Sequence, residues 1–180
     1  MRISFPGLLT LLFAASLFAQ QQGYDPSDIQ RVVLVESGQS TQMKDGVASS
    51  QDSWVVVASR QRYVFKGGRA SLRTKTREPE FQFEMDPGFD APVYLFRFDI
   101  RSGRDFDIRA DHREIRVAKG TGGLAPMSIP TDHLIETTLQ QIGDGQNSLK
   151  RYRLKPTTPL KPGEYCLSRN LSTCYDFGVD

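Results

Sequence analysis

The feature that most constrains this chain of 180 residues is the recurrence of apolar side chains at every second position beyond residue 30. Period 2 marks a β-strand with one buried face, because successive side chains leave opposite sides of the pleat. Residues 62–66 set Tyr63 and Phe65 against Arg62, Val64 and Lys66, and residues 80–85 set Phe81, Phe83 and Met85 against Glu80, Gln82 and Glu84. Residues 93–101 are expected to turn Tyr94, Phe96, Phe98 and Ile100 inward, with Phe106 and Ile108 continuing that set after a turn at Ser102-Gly103. The β-branched runs 31–36 (RVVLVE) and 53–58 (SWVVVA) suit buried strands. Strands are also expected over 69–75, 113–118, 149–155, 163–168 and 173–179. Residues 134–142 fit a helix through Ile135, Leu139 and Ile142, whereas Thr137-Thr138 favour a strand, and the strand is preferred. Residues 37–52 and 119–132 carry turn and loop signals. About ten short strands separated by turn residues predict an all-β fold, an antiparallel β-sandwich of Ig-like or jelly-roll-like type.

The first residues follow a different logic. Arg2 precedes an apolar run over 8–18 that ends at Ala19, before Gln20-Gln21-Gln22. A cation, an apolar stretch of roughly 7–15 residues and a small residue at the cut form an export signal. A membrane span needs about 20 apolar residues, so a cleaved signal rather than an anchor is expected. The organisation is therefore a signal peptide over 1–19, a loose polar leader over 20–28 and a single sandwich domain over 29–180. The product is expected to be secreted or periplasmic. With 23 Lys and Arg against 21 Asp and Glu, the near balance of charge argues against nucleic acid as a partner.

An oxidising destination gives the two cysteines a role. Tyr165 and Leu167 share one strand face and turn Cys166 to the other; Tyr175, Phe177 and Val179 turn Cys174 outward with Asp176. A hairpin centred on Asn170, with 169–171 as its loop, pairs Tyr165 with Tyr175 and Cys166 with Cys174. Facing cysteines in such a compartment predict a Cys166–Cys174 disulfide. Two cysteines without a matching histidine spacing make no zinc site.

The remaining charged groups read as surface. Cations at Arg60, Arg62, Lys66, Arg69, Arg73, Lys75 and Arg77 are followed by Glu78, Glu80, Glu84, Asp86 and Asp90. A hairpin turning over 76–79 sets Lys75 opposite Glu80 and Arg73 opposite Gln82, neutralising the cationic face. Pairing Phe98 with Ile108 sets Asp99 opposite Asp107, with Asp105 nearby, but four arginines stand close and the spacing fits no calcium loop. His112 and His133 are the two histidines; Asp111-His112-Arg113-Glu114 puts acid beside base, yet strand neighbours point to opposite faces. Gly120 to Gly123 lacks the Gly-Lys-Ser/Thr ending of a phosphate loop. Asn170-Leu171-Ser172 is formally a glycosylation sequon.

Two regions, a C-terminal one quoted in three stretches and one upstream, carry a resemblance. Residues 152–156 (YRLKP), 159–165 (PLKPGEY) and 175–180 (YDFGVD), with 67–81 (GGRASLRTKTREPEF) upstream, resemble uncharacterised exported bacterial proteins that end in a Pro-Gly-Glu-Tyr hairpin and a Phe-Gly-Val-Asp tail. The resemblance implies a bacterial origin and a compact β fold, with no activity attached. The resulting expectation is an exported non-catalytic sandwich with a binding or structural role at the envelope, its partner an envelope protein or a glycan, with no cofactor and no metal. The alternative is a secreted hydrolase or carbohydrate-active enzyme whose carboxylates, among them Asp99, Asp107, Asp111 and Glu114, converge only in the fold.

Overall fold

The computed structural model describes residues 28–55, 58–88, 92–102, 110–118 and 129–180; the expected signal peptide, Asp105, Asp107 and the glycines of 120–123 lie outside them. Every regular element among these residues is a β-strand, fifteen in all, shorter and more numerous than the alternation predicts. They form three sheets that do not close into a barrel. The first sheet has the order β12 (Thr137–Asp144), β13 (Lys150–Pro156), β7 (Glu80–Met85), β1 (Gln30–Glu36) and β2 (Gln39–Gln42). The middle sheet runs β11 (Leu134–Ile135), β8 (Tyr94–Arg97), β14 (Gly163–Ser168), β15 (Thr173–Val179) and β3 (Asp45–Val47), with β6 (Arg73–Thr74) parallel to the end of β15. The third consists of β4 (Ser49–Val55), β5 (Ala58–Lys66), β10 (His112–Ala118) and β9 (Asp99–Arg101). Apart from the β6–β15 contact, all pairings are antiparallel.

The sandwich thus has a third layer, and the middle sheet is covered on both sides. One core joins Val32, Leu34, Phe81, Phe83 and Leu154 of the first sheet to Leu95, Tyr165, Leu167, Phe177 and Val179 of the middle one. The other joins Tyr63, Phe65, Ile115 and Val117 of the third sheet to Phe96, Cys166 and Cys174. Alternation within β14 explains the division, with Tyr165 and Leu167 facing one core and Cys166 the other. In the first core the Phe81 and Phe177 rings meet at 5.0 Å and Tyr165 stacks on Phe177 at 5.5 Å. Burying such a side chain contributes roughly 1.5–3 kcal/mol, more than the 0–1 kcal/mol typical of a surface ion pair. The two cores therefore decide the fold.

Several sequence expectations shift in register. β14 and β15 pair Tyr165 with Phe177 and Leu167 with Tyr175, two residues from the expected alignment. The cause is a four-residue loop over 169–172: Asn170 Oδ1 accepts from the Ser172 and Thr173 amides, and Leu171 folds into the second core at φ +63°. The disulfide nevertheless forms between Cys166 and Cys174, diagonally across the ladder, with Cα atoms 5.6 Å apart and within bridging reach. Cys174 is fully buried rather than outward. The run 53–58 is divided between the ends of β4 and β5. Polar residues 37–52 contribute β2, β3 and most of β4, strands without an apolar alternation to announce them. Leu95 is buried, while Ile100, expected inward, is 56% exposed. Residues 134–142 are strand, broken at Glu136 where the chain passes from the middle sheet to the first.

The hairpin expected over 76–79 is absent, because β7 pairs with β1 and β13 while β6 joins β15. This brings together the two segments that carry the resemblance. The Gly178 amide donates to Leu72 O at 2.9 Å, and the Asp180 amide donates to Thr74 O at 3.1 Å. Glu164, buried, accepts from the Ala70 amide at 2.6 Å and from the Arg73 guanidinium, which also reaches Asp180. A Cβ on Gly178 would fall 1.6 Å from Arg73 Nη1, so only glycine lets the guanidinium cross the strand.

Two outcomes follow from this packing. Arg73→Met strands a buried carboxylate and should cost about 3 kcal/mol in urea unfolding, part of it recovered in the Arg73→Met/Glu164→Gln double variant. Replacing both cysteines by alanine should cost about 2.5 kcal/mol for a loop of this length. A variant as stable as the parent under non-reducing conditions would show that the bridge contributes nothing.

Candidate functional site

The carboxylates of the enzyme alternative are placed by β9 and β10. Their register sets Glu114 directly across from Asp99, so the strand partner of Asp99 is Glu114; Asp107 lies outside the described residues. Parity along β10 sends Arg113, Ile115 and Val117 into the second core and His112, Glu114 and Arg116 to the outer face. Glu114 is fully buried there under arginines from three strands: Arg116 Nη2 at 2.8 Å, Arg101 Nε at 3.1 Å and Arg62 Nη1 at 3.3 Å. Burial pushes its carboxyl upward, but the Arg116 charge and hydrogen bond, joined by Arg62 and Arg101, outweigh it and hold the group below its ordinary value of 4.5. A carboxylate fixed in the ionised state is no general acid, a role that needs a raised value. His112 donates Nδ1–H to Ala110 O at 3.1 Å, which leaves Nε2 3.5 Å from Glu114 Oε2. Asp111, just before β10, is exposed.

The same device recurs in the other sheets. Glu84 of the first sheet meets Arg31 at 2.7 Å and accepts from the Gln146 amide at 3.2 Å; Glu164 of the middle sheet meets Arg73. Each sheet thus buries one glutamate against arginine. Between the middle and third sheets Arg113 bonds Asp176, donates to Gly67 O at 3.0 Å and lies 5.6 Å from the Phe98 ring. Glu80 takes Lys155 at 2.8 Å and Arg153 at 2.9 Å instead of the expected Lys75. Within the cationic stretch from residue 60, Arg62 pairs with Glu114, Arg69 with Asp180 and Arg73 with Glu164 and Asp180, acids distant in the sequence.

His133 supplies a more open arrangement. Its Nδ1–H donates to Arg97 O at 2.8 Å, and Nε2 faces Asp132 at 3.8 Å and Asp99 at 4.0 Å. The carbonyl can only accept, which fixes the tautomer of the neutral ring. These groups, with Ile100 and Gly163, line a shallow depression of about 380 Å³. A second groove, about 560 Å³, runs beside the β1–β2 turn between Glu36, Lys75, Glu80 and Lys155. Among the described residues no group of three ligands is placed to hold a metal ion. The His133 depression was missed from sequence because its lining comes from three separate segments, 97–100, 132–133 and 163–164, that only the fold brings together. Glu114, by contrast, could have been matched to Arg116 from their shared parity. Comparisons with protein-family models, curated proteins and solved structures give no match.

The Glu114 cluster predicts a specific pH response. A depressed folded value means its stabilisation is complete above the unfolded value near 4.5 and is lost as pH falls through the lower folded value. Glu114→Gln should lose about 2 kcal/mol at neutral pH, and the difference from the parent should shrink as pH drops below 4.5. Urea titrations between neutral and acid pH check this; a constant difference would exclude Glu114 as the titrating group.

Proposed function

We propose that the protein is an exported, non-catalytic β-sandwich that binds or braces a component of the cell envelope. The supporting observation is the commitment of its buried carboxylates, since Glu84, Glu114 and Glu164 are each held by arginine. The carboxyls whose pKa is displaced, Glu80, Glu114, Asp144 and Asp180, all move downward, the first two against the upward push of burial. That pattern suits scaffolding and disfavours hydrolysis by a carboxyl pair, in which one member is raised. The buried Cys166–Cys174 bridge belongs with an oxidising compartment, and no helix among the described residues is long and apolar enough to cross a membrane. An envelope protein or a glycan is the proposed partner.

Capture of the tagged protein from its native cells after mild crosslinking, read by mass spectrometry, tests the proposal. The expected result is a mature N-terminus at Gln20 and the same envelope component in replicate captures. Retention of residues 1–19, or glycan hydrolysis by the purified protein that Glu114→Gln abolishes without unfolding it, would overturn it.

A further inference from the structure

We infer that the Cys166–Cys174 bridge is a redox-operated clasp for the third sheet. Closed, it holds the floor on which that sheet docks; open, it releases the sheet while the first core stays packed. The bridge closes residues 166–174 into a ring. Cys166, Leu171 and Cys174, all from that ring, are buried members of the second core, where they pack with Tyr63, Phe65, Ile115 and Val117 of the third sheet. The first core contains no cysteine.

The backbone ties the third sheet to the same ring. The Ala48 amide, one residue before β4, donates to Ser172 O at 2.9 Å, and Gly46 and Val47 pair with Cys174 and Thr173. The chain thus steps off the ring into the third sheet, and Arg113 of β10 adds its ion pair to Asp176 just beyond it. The contacts of the first core lie elsewhere. Phe177 meets Phe81 and Tyr165 outside the ring, and Glu164 takes Arg73. Leu167 is the one ring residue among the buried members of the first core, and its pairing with Leu95 of β8 holds it from the other side. Opening the bridge therefore acts on one layer.

Two physical effects couple the bridge to docking. Leu171 keeps a left-handed backbone, φ +63°, which is unfavourable for a residue with a bulky side chain, and the closed ring helps to hold it there. Two thiols also need more room than two bonded sulfurs about 2.05 Å apart, and a packed core resists the added volume. Both cysteines are fully buried in the docked protein, so an oxidant reaches them only before the third sheet settles. Closure is thiol–disulfide exchange with an oxidised dithiol partner. One cysteine thiolate attacks the partner's disulfide and frees one partner thiolate; the second cysteine thiolate then displaces the other partner sulfur. The Cys166–Cys174 bond forms, and the partner leaves as a dithiol carrying the two electrons and the two cysteine protons. Closure beyond the cytoplasm rests on the proposed export, whereas the dependence of docking on the bridge does not.

Urea titration with pulsed hydrogen exchange, read by mass spectrometry, separates β5 and β10 of the third sheet from β7 and β13 of the first. In the oxidised purified protein all four should lose protection at one midpoint. In protein reduced in urea and refolded with dithiothreitol, docking should weaken at least about tenfold, so that β5 and β10 open at a lower urea concentration than β7 and β13. Cys166→Ala/Cys174→Ala should show the same separation with or without reductant. Coincident transitions in the reduced protein or in the double variant, whether shifted or not, would overturn the inference, as would a reduced protein already unfolded without urea. So would rapid reduction of the folded protein by dithiothreitol with β5 and β10 still fully protected.

Discussion

Because β14 and β15 are covered on both faces, every polar group they carry must find its partner inside the fold. Glu164 meets Arg73 and the Ala70 amide, Asp176 meets Arg113, and Ser168 Oγ bonds Thr173 O and the Leu171 amide. These contacts reach in opposite directions: Arg73 comes from the short strand beside β15, and Arg113 from the third sheet. The central hairpin thus fixes the positions of both neighbours by polar pairing as well as by apolar contact. Leaving a buried carboxylate unpaired costs several kcal/mol, whereas a misplaced surface charge costs little. A shifted register in this hairpin would strand both acids at once.

Buried ion pairs are weak grounds for stability in themselves, since apolar residues of similar volume often serve as well. Their distribution here points to another effect. Each sheet buries one glutamate, and the cations come from separate elements: Arg31 from β1, Arg62, Arg101 and Arg116 from β5, β9 and β10, and Arg73 from β6. Such pairs penalise alternative alignments more than they reward the native one. That is useful in a chain of fifteen short strands, where many apolar registers are nearly equivalent. The pairing of these carboxylates with arginine, with Glu114 held below its ordinary value, underlies the proposal of a binding or structural role.

The fold class and the disulfide were legible from alternation, and the layers were not. Tyr165 and Leu167 announce one buried face, and Cys166 on the opposite parity reads as a solvent-side residue until the third sheet covers it. The hairpin register failed by two residues because Leu171 adopts a left-handed backbone and buries itself, a tertiary contact that joins the Asn170 turn bonds in setting the loop. The pairing of Arg73 with Glu164, 91 positions apart, leaves no local trace; what the sequence did contain was Gly178, whose missing side chain makes room for the guanidinium. The Glu114 cluster was half visible. Its shared parity with Arg116 follows from strand geometry, but Arg62 and Arg101 depend on strand order.

Among the described residues, the main paths of the three open sheets end in six strands, beside the short β6 that pairs with β15, and their protection differs. β3, β9 and β11 are three residues or fewer and offer too short a ladder to template another chain, and β2 is four. β4, at seven residues, places Asp52 at its centre. β12 is the longest edge among the described residues and keeps its charges at its ends. The hairpin it forms with β13 is anchored by Leu154 in the first core and by Glu80 holding Arg153 and Lys155, so the strand is rigidly presented while its own side chains bury little. A long neutral strand held out by a firmly packed neighbour contributes little to the interior. Its order follows from the antiparallel ladder it shares with β13, which runs from Thr137 opposite Pro156 to Asp144 opposite Lys150.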